Sequence, residues 1–106
     1  MDATRLAWAR LWTGRGVYHQ GEFASAEATC RHCLHLLDTH SQDMFQSHEI
    51  KVETVLTLAQ ACAAQGQPEE GLRLLRSLLA TTAQQAQQTK IYALLTRFEE
   101  KKSRSS

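Results

Sequence analysis

Hydrophobic side chains recur through most of the chain at intervals of three and four residues, the spacing of one face of an α-helix. The stripes are Cys30, Cys33, Leu34 and Leu37; Val52, Val55, Leu56, Ala59, Cys62 and Ala63; Leu72, Leu75, Leu78 and Leu79; and Ile91, Leu94, Leu95 and Phe98. With the turn residues between them, these stripes predict five helices, near residues 4–20, 23–38, 44–65, 68–81 and 84–101.

The composition supports an all-α fold. Valine and isoleucine together occur only five times in 106 residues, too rarely to supply the strands of a sheet. The chain is 42% hydrophobic and 22% charged, which is too apolar for a disordered protein. We therefore expect one helical domain over residues 1–100, followed by a disordered tail over residues 102–106.

Two parts of the chain are similar to each other. Each has a Gln-Gly pair, at Gly21 and at Gly66, which are 45 residues apart. Small residues occupy matched places around both pairs, with Gly14 matching Ala59 before the pair and Ala26 matching Gly71 after it. A glycine can end a helix in the left-handed conformation, and small residues let two helices cross closely. Each part is therefore predicted to be a helical hairpin.

The hairpins are expected over residues 4–38 and 44–81. Pro68 follows Gly66 by two residues, where proline can open the next helix. The fifth helix, near residues 84–101, has no hairpin partner, so we expect it to cap the apolar side of the second hairpin.

The pattern around the Gln-Gly pairs resembles the tetratricopeptide repeat. In the first unit, the consensus places are filled by Tyr18, Gly21, Phe23 and Ala26. That unit departs from the consensus at Arg10, where an aromatic residue is common, and at Thr13, which replaces a leucine; the second departs at Pro68 and Gly71. The separation of 45 residues exceeds the usual repeat of about 34. Such lengthened units resemble those in the sensor domain of MalT-like bacterial transcription activators.

This resemblance implies a right-handed α-solenoid, in which the first helix of each hairpin lines a concave groove that holds a partner. The groove residues predicted at matched positions are Trp8, Leu11, Trp12, Arg15, Tyr18 and His19 on the first helix, and Glu53, Thr57 and Gln60 on the third. Leu56, Ala63 and Ala64 occupy the other corresponding places on the third helix and make its surface shallower and more neutral. Aromatic rings bury large areas and arginine binds carboxylates, a mixture suited to gripping a peptide. The alternative is that Trp8 and Trp12 pack inside the domain or in a self-association contact.

Three functions follow as hypotheses. The first is a protein-binding adaptor or chaperone that holds a peptide or protein surface in the groove. The second is the effector-sensing domain of a MalT-like transcription activator. The third is a small secretion-type chaperone that is stable only as a heterodimer. Because about three repeats are usually needed for stability, self-association into a homo-oligomer could also complete the apolar faces.

Charge and cysteine content narrow the range of partners and the cellular location that we expect for this chain. A formal net charge of +1 gives no electrostatic footprint for nucleic acid, and no apolar run approaches the roughly 18 residues of a membrane span. Three cysteines without export features favour a reduced, cytoplasmic setting. We expect no cofactor and no enzymatic activity, because no phosphate-binding loop, metalloprotease motif or nucleophile elbow is present.

Two clusters of metal-binding residue types have simpler explanations. The run Cys30-Arg-His-Cys33-Leu-His35 places two cysteines on one helical face, but both fall where the hairpin packs its helices, so we interpret them as core residues and expect no metal site. Cys62 also lies at a packing position, where a thiol is normally inert. His40 and His48 flank the loop 39–43 with Asp43 and Glu49 nearby, and are interpreted as solvated residues rather than as a pH-sensitive contact.

Overall fold

The computed structural model describes residues 3–40 and 44–105, and side chains over residues 5–38 and 48–100. Over the described residues the fold is all-α, without strands, which confirms the all-α part of the prediction. The helices are α1 (Ala3–His19), α2 (Phe23–His40), α3 (Met44–Ala64), α4 (Pro68–Thr81) and α5 (Gln85–Ser105).

Most helix ends lie within two residues of their predicted positions. The exception is α5, which continues to Ser105 and so runs through most of the segment 102–106 that we predicted to be a tail. Lysine is a good helix former and its charge is favourable at a helix carboxyl end, so Lys101 and Lys102 are compatible with this extension. Most of the predicted loop 39–43 lies outside the described residues.

The two Gln-Gly turns have the same geometry. Gly21 and Gly66 adopt left-handed backbone angles, with φ of 84° and 83°. In the first turn the amide of Glu22 donates to the carbonyl of Val17 at 3.0 Å, and in the second the amide of Gln67 donates to the carbonyl of Cys62 at 2.9 Å. Both turns are therefore Schellman motifs, in which the glycine ends the helix as predicted. Pro68 then begins α4.

The matched small residues lie where the helices cross. Gly71 of α4 packs so tightly that a Cβ atom there would lie 2.9 Å from the carbonyl oxygen of Ala59 in α3 and 2.6 Å from the ring of Phe98 in α5. A Cβ atom on Gly14 of α1 would lie 3.1 Å from Sγ of Cys30 in α2. Ala59 and Ala26 are fully buried. Small residues are thus what allows each pair of helices to approach, as predicted from their spacing.

Helix α3 is the centre of the molecule and contacts each of the other four helices. Its residues divide among three buried clusters. The largest joins α3, α4 and α5, and contains the predicted stripe Ile91, Leu94, Leu95 and Phe98 of α5. The second joins α1, α2 and α3 through Ala7, Leu11, Cys33, Leu37 and Ile50. The third contains Cys30, Leu58 and Cys62.

Burial of its apolar stripe holds α5 against α3 and α4. Across the described part of the chain, no helix is both long and apolar enough to cross a membrane.

Candidate binding cleft between the first and third helices

A cleft with a volume of about 570 Å³ lies between α1 and α3. Its lining residues are Trp12, Arg15, Gly16, Tyr18, His19, Glu53, Leu56, Thr57 and Gln60. All of the residues predicted for a partner groove are among them, except Trp8 and Leu11. The helices thus bring together two sets of side chains that are more than thirty residues apart in the sequence.

Gly16 and Leu56 also line the cleft; Leu56 occupies one of the matched places on the third helix, whereas Gly16 lies outside the predicted set. Helical spacing carries a signal for each of them, because Gly16 follows Trp12 by four residues and Leu56 follows Glu53 by three. Gly16 has no side chain and leaves open space, since a Cβ atom built there meets nothing within 4 Å. The absence of a side chain at Gly16 therefore leaves space in the cleft.

The two tryptophans have different environments. Trp12 is 62% exposed and lines the cleft, with the guanidinium carbon of Arg15 5.4 Å from its ring centroid, a cation–π contact. Trp8 is half-buried and packs against the cluster of Ala7, Leu11 and Cys33. The sequence alone left open whether these rings face a groove or the core, and the structure gives a different answer for each.

Leu11 corrects one predicted site position. It is fully buried in the cluster between α1, α2 and α3, so it lies in the core rather than in the groove. The reason is its spacing, because Leu11 follows Ala7 by four residues and precedes Gly14 by three, which places all three on the side of α1 that packs against α2.

A chain of ion pairs crosses one side of the cleft and joins three helices. The guanidinium of Arg15 in α1 donates to Oε2 of Glu53 in α3. Nζ of Lys90 in α5 donates to Oε1 of the same carboxylate at 2.9 Å. We call these two ion pairs, formed by Arg15, Glu53 and Lys90, the Glu53 bridge. Since Glu53 is largely covered while Lys90 is more than half exposed, the bridge lies at the edge of solvent.

The opposite end of the cleft is polar and near the helix ends. Tyr18 and His19 belong to the last turn of α1, and Gln60 lies four residues before the end of α3. The ring of Tyr18 contacts those of Phe23 and His19, with centroids 5.4 and 5.6 Å apart. Within the described part of the chain, the side chains of Tyr18, His19 and Gln60 form no hydrogen bond. This end therefore presents donors and acceptors to whatever enters the cleft.

The three cysteines lie in the core. Cys30, Cys33 and Cys62 are fully buried, which confirms the interpretation of Cys30 and Cys33 as packing residues. Burial raises the pKa of the Cys30 thiol to about 12, and burial also raises the pKa of Cys33 and of Cys62. The thiols are therefore protonated at neutral pH. Among the described side chains, no group of three or more His, Cys, Asp or Glu residues is placed to hold a metal ion.

His48 is not the solvated loop residue that we predicted. It lies within α3, is half-buried, and places Nε2 3.2 Å from Oγ1 of Thr82, which follows α4. The predicted helix 44–65 already contains His48, and what the prediction missed is the contact of its ring with Thr82 at the end of α4. The side chains of His40 and Asp43 lie outside the described residues.

The cleft offers an exposed indole, a charged bridge and unpaired hydrogen-bonding groups, which is the chemistry of contact with another molecule. The chain matches no protein-family model, no curated protein and no solved structure. We therefore infer the function from the residues of the cleft.

Proposed function

We propose that this chain is a protein-interaction module, of the adaptor or chaperone kind, that holds a peptide or protein surface in the cleft between α1 and α3. The main support for the proposal is the exposure of the Trp12 side chain in the cleft. Among the described residues, only Trp12 and Tyr92 are large apolar side chains left exposed, and Trp12 lies in the cleft beside Arg15. Tryptophan and arginine are the residues that most often dominate the binding energy of protein interfaces.

We also propose that the helices form a tetratricopeptide-like stack of two hairpins capped by α5. Two features support this arrangement: the identical Schellman turns at Gly21 and Gly66, and the packing of α1 on α3 and of α3 on α5. In such a stack the first helix of each hairpin lines the concave side. The cleft lies between those two helices, and the Glu53 bridge continues the same side onto α5.

A second candidate is the binding of a small regulatory effector, as in the sensor domains that the second hairpin resembles. The volume of the cleft favours it, because about 570 Å³ lies within the range of small-molecule sites. A small ligand would be enclosed by Trp12, Arg15 and Gln60, and would not extend past them.

The experiment compares two exposed aromatic residues. Partners captured from native cells by the wild-type chain are identified by mass spectrometry, and the binding of each is then measured by calorimetry against Trp12→Ala and Tyr92→Ala. Tyr92, which is 56% exposed on α5 and does not line the cleft, is the matched control. We expect Trp12→Ala to cost about 2 kcal/mol, or a roughly thirtyfold higher Kd, and Tyr92→Ala to leave Kd unchanged.

Equal binding by the wild type and a folded Trp12→Ala variant would reject the cleft as the binding site. Retention of a small metabolite, with no protein partner, would favour the effector-sensing candidate. Sedimentation of the isolated chain tests the heterodimeric chaperone hypothesis, since a well-folded monomer would remove the reason for requiring a second subunit.

A further inference from the structure

Gln60 is a half-buried amide in the cleft that the fold itself does not use. Other glutamines of this chain serve as structural links. Nε2 of Gln65 donates to Oε1 of Glu27 at 2.9 Å, and Nε2 of Gln88 donates to the carbonyl of Thr82 at 2.8 Å. Gln60 forms no hydrogen bond within the described part of the chain, so its donor and acceptor are both available to a ligand.

We propose, on the basis of the function proposed above, that the occupant of the cleft is a peptide segment in extended conformation, and that the Gln60 side chain binds its main chain. An extended segment exposes N–H and C=O groups that a side-chain amide can pair with simultaneously. A helix satisfies its own backbone groups and would offer Gln60 only side chains. Tyr18 and His19 add further hydrogen-bonding groups at the same end of the cleft.

The distance along the cleft fits a short extended segment. Trp12 and His19 are seven residues apart on α1, which is about 10 Å along a helix at about 1.5 Å per residue. An extended chain covers that distance in about three residues. An apolar side chain of the peptide therefore packs on Trp12, while main-chain groups about three residues away reach the polar end.

The charges of the cleft indicate which side chains are favoured in the bound peptide. Arg15 and Lys90 share the single carboxylate of Glu53, so the Glu53 bridge has a net positive charge. A basic segment would meet like charge there, whereas an acidic one is complementary. The proposed occupant is thus an extended segment with an apolar anchor and at least one acidic residue.

The test uses peptides selected from a random phage-displayed library against the full chain. Binding of a selected peptide is measured for the wild type, for Gln60→Ala, and for Gln84→Ala, an exposed glutamine outside the cleft that serves as the matched control. We expect Gln60→Ala to raise Kd about tenfold, as the loss of one or two net hydrogen bonds predicts, and Gln84→Ala to have no effect.

A scan of backbone N-methylation along the peptide then locates the main-chain contact. One N-methyl position should weaken binding to the wild type about tenfold, yet weaken binding to Gln60→Ala much less, because both changes remove the same interaction. A side-chain staple that locks the peptide as a helix should abolish binding.

Two outcomes would overturn this inference alone: tight binding of the helix-stapled peptide, or equal Kd for the wild type and Gln60→Ala. In both cases continued loss of binding in Trp12→Ala would leave the proposed function intact. Failure of Trp12→Ala to weaken any selected peptide, or failure to select one, would overturn both proposals.

Discussion

At the scale of single residues, the crossing of α4 with α3 and α5 depends on Gly71. Its hydrogen faces the backbone of α3 and the ring of Phe98. We predict that Gly71→Ala destabilises the chain by about 1–3 kcal/mol in chemical denaturation, because the carbonyl oxygen of Ala59 cannot move aside as a flexible side chain could. Gly16→Ala is the control, since a Cβ atom there meets nothing and alanine favours the helix by about 0.5–1 kcal/mol. Equal effects of the two substitutions would contradict this account of the crossing.

The buried thiols make the free energy of unfolding depend on pH in the alkaline range. Burial raises the pKa of Cys30 from its ordinary value of 9.0 to about 12. Between these two values an unfolded chain has lost the thiol proton while the folded chain keeps it, so unfolding releases a proton and stability falls as pH rises. We predict that the free energy of unfolding declines more steeply above pH 9.0 for the wild type than for Cys30→Ala, with parallel curves below it. Parallel curves throughout would show that the folded thiol titrates normally.

The sequence predicts chemistry at this scale better than it predicts exposure. The residue types around Trp12, Arg15 and Glu53 indicate a contact surface, and the structure brings them into one cleft. The sequence alone cannot show that Leu11 is excluded from that surface, because the side of α1 that is buried depends on where α2 crosses it. For the same reason the burial of His48 depends on Thr82, which is more than thirty residues away in the sequence.

At the scale of helices and turns, the hydrophobic period and the two glycines are enough to place most of the structure. The stripes lie three and four residues apart, and the turns between α1 and α2 and between α3 and α4 require a left-handed residue. The carboxyl end of α5 is the weakest prediction. Neither a glycine nor a proline follows residue 98, so the sequence contains no signal that would end the helix at a particular place.

The turns themselves can be tested with one pair of substitutions. We predict that Gly66→Ala destabilises the chain by about 1–2 kcal/mol in chemical denaturation, because a Cβ atom is strained at a φ of 83° even though nothing lies near it. Gly66→Asn should cost less, since asparagine tolerates the left-handed region. If alanine and asparagine were equally harmful, crowding rather than backbone conformation would control this turn.

At the scale of the whole molecule, Glu53 connects α1, α3 and α5. Its carboxylate holds Arg15 of α1 and Lys90 of α5. We predict that Glu53→Gln lowers the free energy of unfolding by about 1 kcal/mol at low salt, with the loss shrinking as salt screens the two cations that are left together. Glu99→Gln, which removes the exposed pair with Arg76, should change stability very little. A salt-independent loss in Glu53→Gln would show that the bridge acts through packing rather than charge.

The internal similarity predicts the two turns and the close helix crossings, but not the burial of every matched position. Ile50 and Leu58 of α3 are buried, and Ile50 belongs to the cluster shared with α1 and α2. Their counterparts 45 residues earlier are Arg5 and Thr13, both exposed on α1. These matched positions therefore differ in burial, because α3 contacts other helices on that side. The offset of 45 residues does not predict the Glu53 bridge either, because Arg15 and Glu53 are not 45 residues apart and Lys90 belongs to α5.

We propose above all that a partner occupies the cleft and covers Trp12. The chain has two tryptophans, so ¹⁵N-labelled protein gives two indole N–H signals that report from within the same sample. Titration with a captured partner or a selected peptide should shift the signal of exposed Trp12 strongly, and that of half-buried Trp8 much less. Saturated binding with the Trp12 signal unmoved would contradict the claim.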